Sequence, residues 1–324
     1  MTVLVTGAGQ IGGHIAQRLV AEGQKAVLFD VASPVGFLGT LAPPDGVTLC
    51  RGDIRDAVAL LDVMRDQHAD CVIHTAGLLP PSTEGQPRLT SEVNVDGTLN
   101  VLEAARLAGV QRVVFCSTVG VYDMNAVRED VVREDDALKV ENLYAASKLY
   151  GEKLGQAYAK RYGIQFITLR FAHIFGPAPL PLRPGIASFL GELACACAEN
   201  RPAKLKPRVY APREYVYVGD AARAALLAAH ATRIDGGVFN IGTGRLHDAE
   251  ALIAIARRIA PSCELELEPP GPEGPGSAGR PFDLSRAARE LDYSPAFEVE
   301  TGMRHHVAYL RRHAPAAATR EVIQ

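Results

Sequence analysis

Short, almost unbroken apolar runs alternate with longer mixed stretches through the first half of the chain. The runs are VLVT, KAVLFD, VTLC, CVIH, RVVFCS and IQFITLR; the stretches between them cover residues 11–22, 54–66, 89–108 and 142–162. Runs of Val, Ile, Leu and Phe without polar alternation suit strands covered by helices on both faces, the condition of a parallel sheet. The pattern predicts an α/β fold built on a doubly wound parallel sheet. In the stretch GTLNVLEAARLAGV, Leu99, Leu102, Ala105 and Leu107 fall at spacings of two and three, which predicts a wide buried face rather than a coiled-coil seam.

After Gly176 the pattern changes. GPAPLPLRPG is too rich in proline for a helix interior and predicts a loop or lid. A helix is expected over 186–199, then a strand and helix in EYVYVGDAARAALLAAH, a strand in VFNIG and a helix in AEALIAIARRI; GPEGPGSAG at 271–279 reads as a loop. The expected division is a main domain over 1–170 with returns near 214–242, and a smaller, interwoven substrate-binding region over 171–213 and 243–324.

Composition narrows the class. With 324 residues, 48% hydrophobic and 22% charged, the chain can bury a large core. Thirty-four basic residues against 37 acidic ones, with no basic block, give no footprint for nucleic acid. The charges of RED and REDD around 128–136 read as a solvated loop or helix start. Cysteines 50, 71, 116, 195, 197 and 263 lack C-x-x-C spacing, and three lie in or beside apolar runs, so reduced, buried thiols are expected. The chain opens directly on VLVTGAG, without a basic leader or long apolar segment, which places the expectation in the cytoplasm and away from membranes. The nine histidines form no paired metal motif, the adjacent His305 and His306 diverging on a helix, and no G-x-S-x-G elbow suggests a hydrolase.

The first chemical signal is VLVTGAGQIGG. Gly7, Gly9 and Gly12 follow the first strand and open the first helix, where a tight turn lets the backbone approach a pyrophosphate favoured by the helix N-terminus. A Rossmann-like dinucleotide site follows. The second strand ends at Asp30, 18 residues beyond Gly12, where a carboxylate accepts ribose hydroxyls and repels a 2'-phosphate; NAD is therefore preferred to NADP. Asp53 ends the third strand, suited either to receive an adenine amine or to cap the next helix. In NLYAASKLYGEK, Tyr144 and Lys148 stand four positions apart and so share a helix face. The pair is either a phenol with a cation beside it, which favours phenolate, or a half-buried aromatic with a solvated lysine.

These features, together with HTAG at 74–77, Asn94 in NVDGTLNVLEAA, CSTVGVY at 116–122, LRFAHIFGP, REYVYVGD and FNIGTG, resemble the extended short-chain dehydrogenase/reductase family, of NAD-dependent epimerase/dehydratase type. The resemblance covers nearly the whole chain. It implies that Tyr144 is the general acid/base, that Lys148 holds the nicotinamide ribose and favours the phenolate, and that Thr118 hydrogen-bonds the reacting oxygen, with Ser117 as the neighbouring alternative. A proton would leave through Tyr144 while NAD accepts a hydride. Gly7, Gly9, Gln10, Ile11, Gly12, Asp30, Asp53, Ile54, Ala76, Gly77 and Asn94 would form the cofactor side with Tyr144 and Lys148; Asn94 could equally be a structural amide. The family's usual glycine pattern is GxxGxxG, whereas this chain has the tighter GxGxxG, one residue shorter over the pyrophosphate.

Within the family, 4,6-dehydratases carry Asp-Glu directly after the catalytic Thr, and 3,5-epimerase/reductases a cysteine two positions after the active-site hydroxyl. Here Val119 and Gly120 follow Thr118, so neither branch is favoured. What remains is oxidation of a secondary alcohol, followed by return of hydride to the opposite face or by release of a ketone. Arg213 matches the arginine with which sugar-nucleotide members engage the substrate nucleotide, and Arg280 offers a second cation; either could instead pair with a small acid or serve as a surface anchor. His173 takes the place usually held by Asn, as a donor, a proton carrier or a core-edge histidine. RPAKLKPRVYAP replaces the Gly-containing strand usual before REYVYV. The leading reading is an NAD-dependent epimerase of a sugar nucleotide. The alternatives are a dehydrogenase of a small hydroxy compound or sugar acid, and a non-catalytic NAD-binding sensor or scaffold. The resemblance also implies a homodimer formed through helices 89–108 and 142–162.

Overall fold

A computed structural model describes residues 1–179, 188–234, 236–271 and 279–313. Most of the proline-rich 176–185 loop, the start of the helix expected from 186, and the 271–279 loop apart from its two ends lie outside the described residues.

In chain order the elements begin with β1 (Val3–Thr6), α1 (Gln10–Ala21), β2 (Ala26–Asp30), α2 (Val35–Leu41), β3 (Val47–Arg51), α3 (Ala57–Asp66) and β4 (Cys71–His74). Two short helices, α4 (Ser82–Gly85) and α5 (Pro87–Thr90), lead through a π-helical segment at Ser91–Asp96 into α6 (Gly97–Ala108). Next come β5 (Arg112–Thr118), α7 (Leu143–Tyr162), β6 (Gln165–Phe171), β7 (His173–Phe175), α8 (Ser188–Glu199), β8 (Ala203–Leu205), β9 (Arg213–Tyr217) and α9 (Val218–His230). The chain continues with β10 (Gly236–Ile241), β11 (Leu246–His247), α10 (Ala249–Ile259), β12 (Leu265–Leu267), α11 (Ser285–Leu291) and α12 (Val299–His313).

Seven strands form one sheet in the order β10-β6-β5-β4-β1-β2-β3, every neighbouring pair parallel. Successive side chains alternate between its faces. Val3, Val5, Leu28, Ile73 and Val114 pack under α1 and α9, while Leu4, Val27, Val72, Val113 and Phe115 pack under α3 and α6. Each such buried side chain contributes roughly 1.5–3 kcal/mol. The expected doubly wound, Rossmann-like sheet is therefore present.

The one continuous helix expected over 89–108 is broken instead into α5, the π-helical segment and α6. Leu102 and Ala105 are buried as predicted, but Leu107 is exposed, so the apolar face is narrower than its spacing suggested. Helix α7 matches its predicted span. Asn142 caps it, Oδ1 accepting the Ala145 N–H at 2.8 Å. It lies close against the sheet because a Cβ at Gly155 would come within 2.0 Å of the Phe166 ring.

Smaller sheets complete the molecule: β11-β9-β7, and β12 with β8. A separate apolar cluster joins α8, α10 and α12 to Tyr215 and Tyr217 of β9. The stretch 213–242 is shared: β9 lies in the small sheet, whereas α9 covers the large sheet and β10 forms its edge.

Candidate active site

A cleft of about 1150 Å³ opens at the carboxyl ends of the large sheet's strands and runs to the small sheet. Of the residues predicted to bind cofactor or substrate, all but Gly12 and Asn94 line it.

Only three residues connect β1 to α1. Gly7 adopts φ +95°, open to glycine at little cost, and Gly12 packs behind the turn, where a Cβ would come 1.9 Å from the Gly7 carbonyl oxygen. Gly12 thus shapes the loop from outside the cleft. Gly9 occupies the N-cap of α1 without a side-chain cap, and a Cβ there would meet nothing within 4 Å. Gly9, Gln10 and Ile11 line the cleft, so the uncapped first turn of α1 borders it, a fit for a pyrophosphate.

Asp30 stands at the end of β2, accepting the Ala8 N–H at 2.6 Å through Oδ2 and the Ala32 N–H at 2.8 Å through Oδ1. Its carboxylate is thereby fixed beside the glycine turn, with lone pairs left for ribose hydroxyls. Asp53 is clamped by Arg55, whose Nε and Nη2 donate to Oδ2 at 2.9 and 2.6 Å and hold the carboxyl below its usual range. The cap of α3 is Asp56, which accepts from Val58 and Ala59, so the capping alternative for Asp53 fails. Asn94 is engaged by protein: Oδ1 accepts the Leu78 N–H at 2.7 Å, and Nδ2 donates to the Leu78 carbonyl and to Ser147 Oγ.

Thr118 closes β5 and caps the turn after it, Oγ1 accepting the Gly120 N–H at 3.1 Å. Its own proton remains available to donate. Tyr144 and Lys148 lie one turn apart on α7, with Lys148 Nζ 5.9 Å from the Tyr144 ring centroid and 4.9 Å from that of Phe115. Lys148 is thus a buried lysine rather than a solvated one. Burial pulls it down to about 8, Cys116 and Glu152 acting in the opposite direction. Burial also raises the Tyr144 phenol, with Cys116 adding to the effect. At neutral pH the pair is a phenol beside a mostly cationic lysine, not a preformed phenolate.

Ser117 turns away from that pair. Its hydroxyl donates to Glu152 Oε1 at 2.5 Å, and Arg170 completes a buried bidentate pair with the same carboxylate at 3.0 and 2.7 Å. Sequence reading missed Glu152; the available signal was its place four residues beyond Lys148 on the same helix.

At the other end, His173 Nδ1 lies 3.0 Å from the Glu214 carbonyl oxygen. A carbonyl only accepts, so Nδ1 carries the proton and Nε2 a lone pair. Burial lowers the ring to about 4, so His173 donates through Nδ1 to the protein and Nε2 is left to accept from a hydroxyl. Glu214 staples three segments, accepting the N–H groups of Thr243, Gly244 and Phe282. Arg213 and Arg280 both reach the cleft, with Arg280 anchored on the Met124 and Val127 carbonyls; Arg208, which sequence reading also missed, joins them from the altered stretch before β9. The cleft wall thus carries the uncapped first turn of α1 with Asp30 and the Asp53–Arg55 pair, the guanidinium groups of Arg208, Arg213 and Arg280, and Thr118, Tyr144 and Lys148.

Residues 3–242 match the sequence model described as "NAD dependent epimerase/dehydratase family". A UDP-glucose 4-epimerase of Azospirillum brasilense is 34% identical over 259 residues, 75% of this chain and 73% of the relative. Among solved structures, the UDP-glucose 4-epimerase of Thermus thermophilus, in complex with NAD, is 29% identical with a TM-score of 0.81, covering 96% of this chain and 99% of that one. The UDP-glucose 4-epimerase of Thermotoga maritima, with UDP-glucose, is 25% identical with a TM-score of 0.82 at the same coverages.

Proposed function

Because the chain belongs to the NAD-dependent epimerase/dehydratase family, we propose that it is an enzyme that uses NAD to invert a secondary hydroxyl of a sugar nucleotide. The carrying observation is that Thr118, Tyr144 and Lys148 share one cleft with the glycine turn and Asp30 at one end and Arg213 and Arg280 at the other. At about 1150 Å³ the cleft exceeds the range of roughly 300–1,000 Å³ usual for one ligand. That size suits a dinucleotide and a nucleotide-linked substrate together.

The glycine turn and Asp30 would hold the cofactor's pyrophosphate and adenosine ribose, and Lys148 its nicotinamide ribose. When bound, NAD supplies reversible hydride acceptance. The Thr118 hydroxyl would donate to the reacting oxygen. Tyr144 would take the proton as the substrate alcohol becomes a ketone and return it after hydride comes back to the opposite face. Arg213 and Arg280 would engage the diphosphate, and His173 Nε2 would accept from a substrate hydroxyl. The cofactor half corresponds to residues 1–170 with the later returns, and the substrate half to 171–213 and 243–324. We assign the enzyme to the cytoplasm as a homodimer through α6 and α7, whose exposed Leu107, Tyr150 and Tyr162 support that surface.

The deciding experiment incubates purified protein with UDP-sugars and, separately, with free sugar acids, following product stereochemistry and NADH. Conversion of a UDP-sugar without net NADH is expected. Stoichiometric NADH from a free hydroxy acid would make the protein a dehydrogenase instead, and no turnover on any of them would favour a sensor.

A further inference from the structure

Residues 171–176 form an unbroken run of the cleft wall, from the end of β6 through β7 to the residue after it. The two ends of this run are held differently. At its start only Ala172 separates β6 from β7, and the Ala172 N–H donates to the Ile241 carbonyl of β10 at 2.9 Å, so this end stays with the large sheet. At its far end the chain has entered the small sheet. Phe175 lies opposite Tyr217 of β9, and Gly176, at φ +130°, is packed so closely that a Cβ would come 2.7 Å from Val218 and 2.9 Å from Tyr217.

A side chain from the cofactor side reaches this far end. Gln10, the first residue of α1, donates from Nε2 to the Gly176 carbonyl at 2.9 Å, across 166 positions of sequence. Its own backbone carbonyl accepts from His14 Nδ1 at 2.9 Å. The Gln10–Gly176 bond is part-buried, and both residues line the cleft. Strand β7 is therefore tied at both ends, to β10 at one and to the glycine turn at the other.

We propose that Gln10 is a positioning residue for hydride transfer: its amide holds the end of β7 against the first turn of α1 and so sets the small sheet's place relative to a dinucleotide seated on the large one. This rests on the NAD and sugar-nucleotide reading above and deepens it. Hydride passes only between atoms held in near-attack geometry, about 3–3.5 Å apart, and a misplacement of about 1 Å can cost a hundredfold. In that reading the large sheet holds the cofactor, at the glycine turn and Asp30, while the small sheet holds the substrate, at Arg213 of β9 and His173 of β7. Loss of the tie would spare both sets of contacts and degrade their mutual register.

The test compares the full-length chain with Gln10→Met, which keeps the length of the side chain and removes its donor. Measured for each are kcat and KM with the UDP-sugar that the unsubstituted chain turns over, the affinities for NAD and for UDP by calorimetry, and the thermal midpoint. Gln10→Met is expected to lower kcat about ten- to a hundredfold, while KM and both affinities stay within about twofold and the midpoint holds. In the unsubstituted chain, nuclear Overhauser contacts are expected between the Gln10 side-chain amide and the Gly176 α protons, a readout that does not depend on the variant folding. Unchanged kcat, a fall in kcat matched by an equal loss of NAD or UDP affinity, or absence of those contacts would overturn the assignment. Failure of the unsubstituted chain to turn over any UDP-sugar would overturn the sugar-nucleotide reading and this one with it.

Discussion

The Ser117 hydroxyl donates to Glu152 Oε1 at 2.5 Å, so the strand that ends in Thr118 is tied to the helix that carries Tyr144 and Lys148. Ser117 and Glu152 satisfy each other and Arg170 inside the protein, and their bond holds β5 against α7.

Removal of that carboxylate strands the Arg170 guanidinium, which is 2% exposed. Breaking a buried pair typically costs about 3–5 kcal/mol. Glu152→Ala is therefore expected to lower stability by about that amount in urea denaturation, and Glu152→Gln, which keeps the shape and one acceptor, by less. A Glu152→Ala curve superimposed on the original would contradict the pairing.

Tyr144→Phe removes a hydroxyl and keeps the ring. Turnover is expected to fall by roughly 10²–10⁴, the usual worth of a placed acid/base group, with NAD affinity close to unchanged. Steady-state rates alongside NAD titration check both halves, and comparable turnover in the variant would remove Tyr144 from the chemistry.

Lys148 is costly to hold. Its folded value of about 8, against an ordinary 10.5, means that the folded state binds its proton less tightly than the unfolded chain does. The penalty is fully present below about pH 8 and disappears as pH rises through 10.5. Lys148→Met is therefore expected to abolish turnover while stabilising the ligand-free protein at pH 7 by on the order of 3 kcal/mol. The gap between the two proteins should shrink at pH 10. A variant less stable than the original at pH 7, in paired denaturation curves, would show that Lys148 is held by attraction rather than against desolvation.

Asp30→Ala is expected to narrow the preference for NAD over NADP, because a carboxylate repels a 2'-phosphate. Since Asp30 also accepts from Ala8 and Ala32, NAD affinity should fall at the same time. Asp30→Asn separates the effects by keeping an acceptor without the charge. Matched titrations of both cofactors read the outcome, and unchanged selectivity in both variants would discard the ribose role.

What could be read from the sequence follows physical range. Tyr144 and Lys148 were legible because helical period places them on one face, and Asp30 because the apolar run before it ends there. Strands β7, β8, β11 and β12 were not, since two or three residues are too few to carry a period. The partnership of Glu152 with Ser117 and Arg170 was hidden for another reason. It joins a helix to two strands across 35 and 18 positions, and each residue alone looks like an ordinary solvated polar group. His306 stood out only as half of a histidine pair; its burial depends on α12 packing against α8, α10 and β9. His173 was singled out, but its proton could be placed only once the Glu214 carbonyl was in position.

The path of the chain between its two halves has a consequence for cooperativity. From β6 it enters the small sheet, returns through α9 and β10 to the edge of the large one, leaves again at β11, and comes back once more as α11 before ending in α12. Cutting after residue 170 would strip the large sheet of its edge strand and uncover the apolar face beneath α9. The core of the large sheet thus needs segments that follow the small sheet in the chain, so the molecule should denature as one unit, and a ligand gripped at either end of the cleft should brace both.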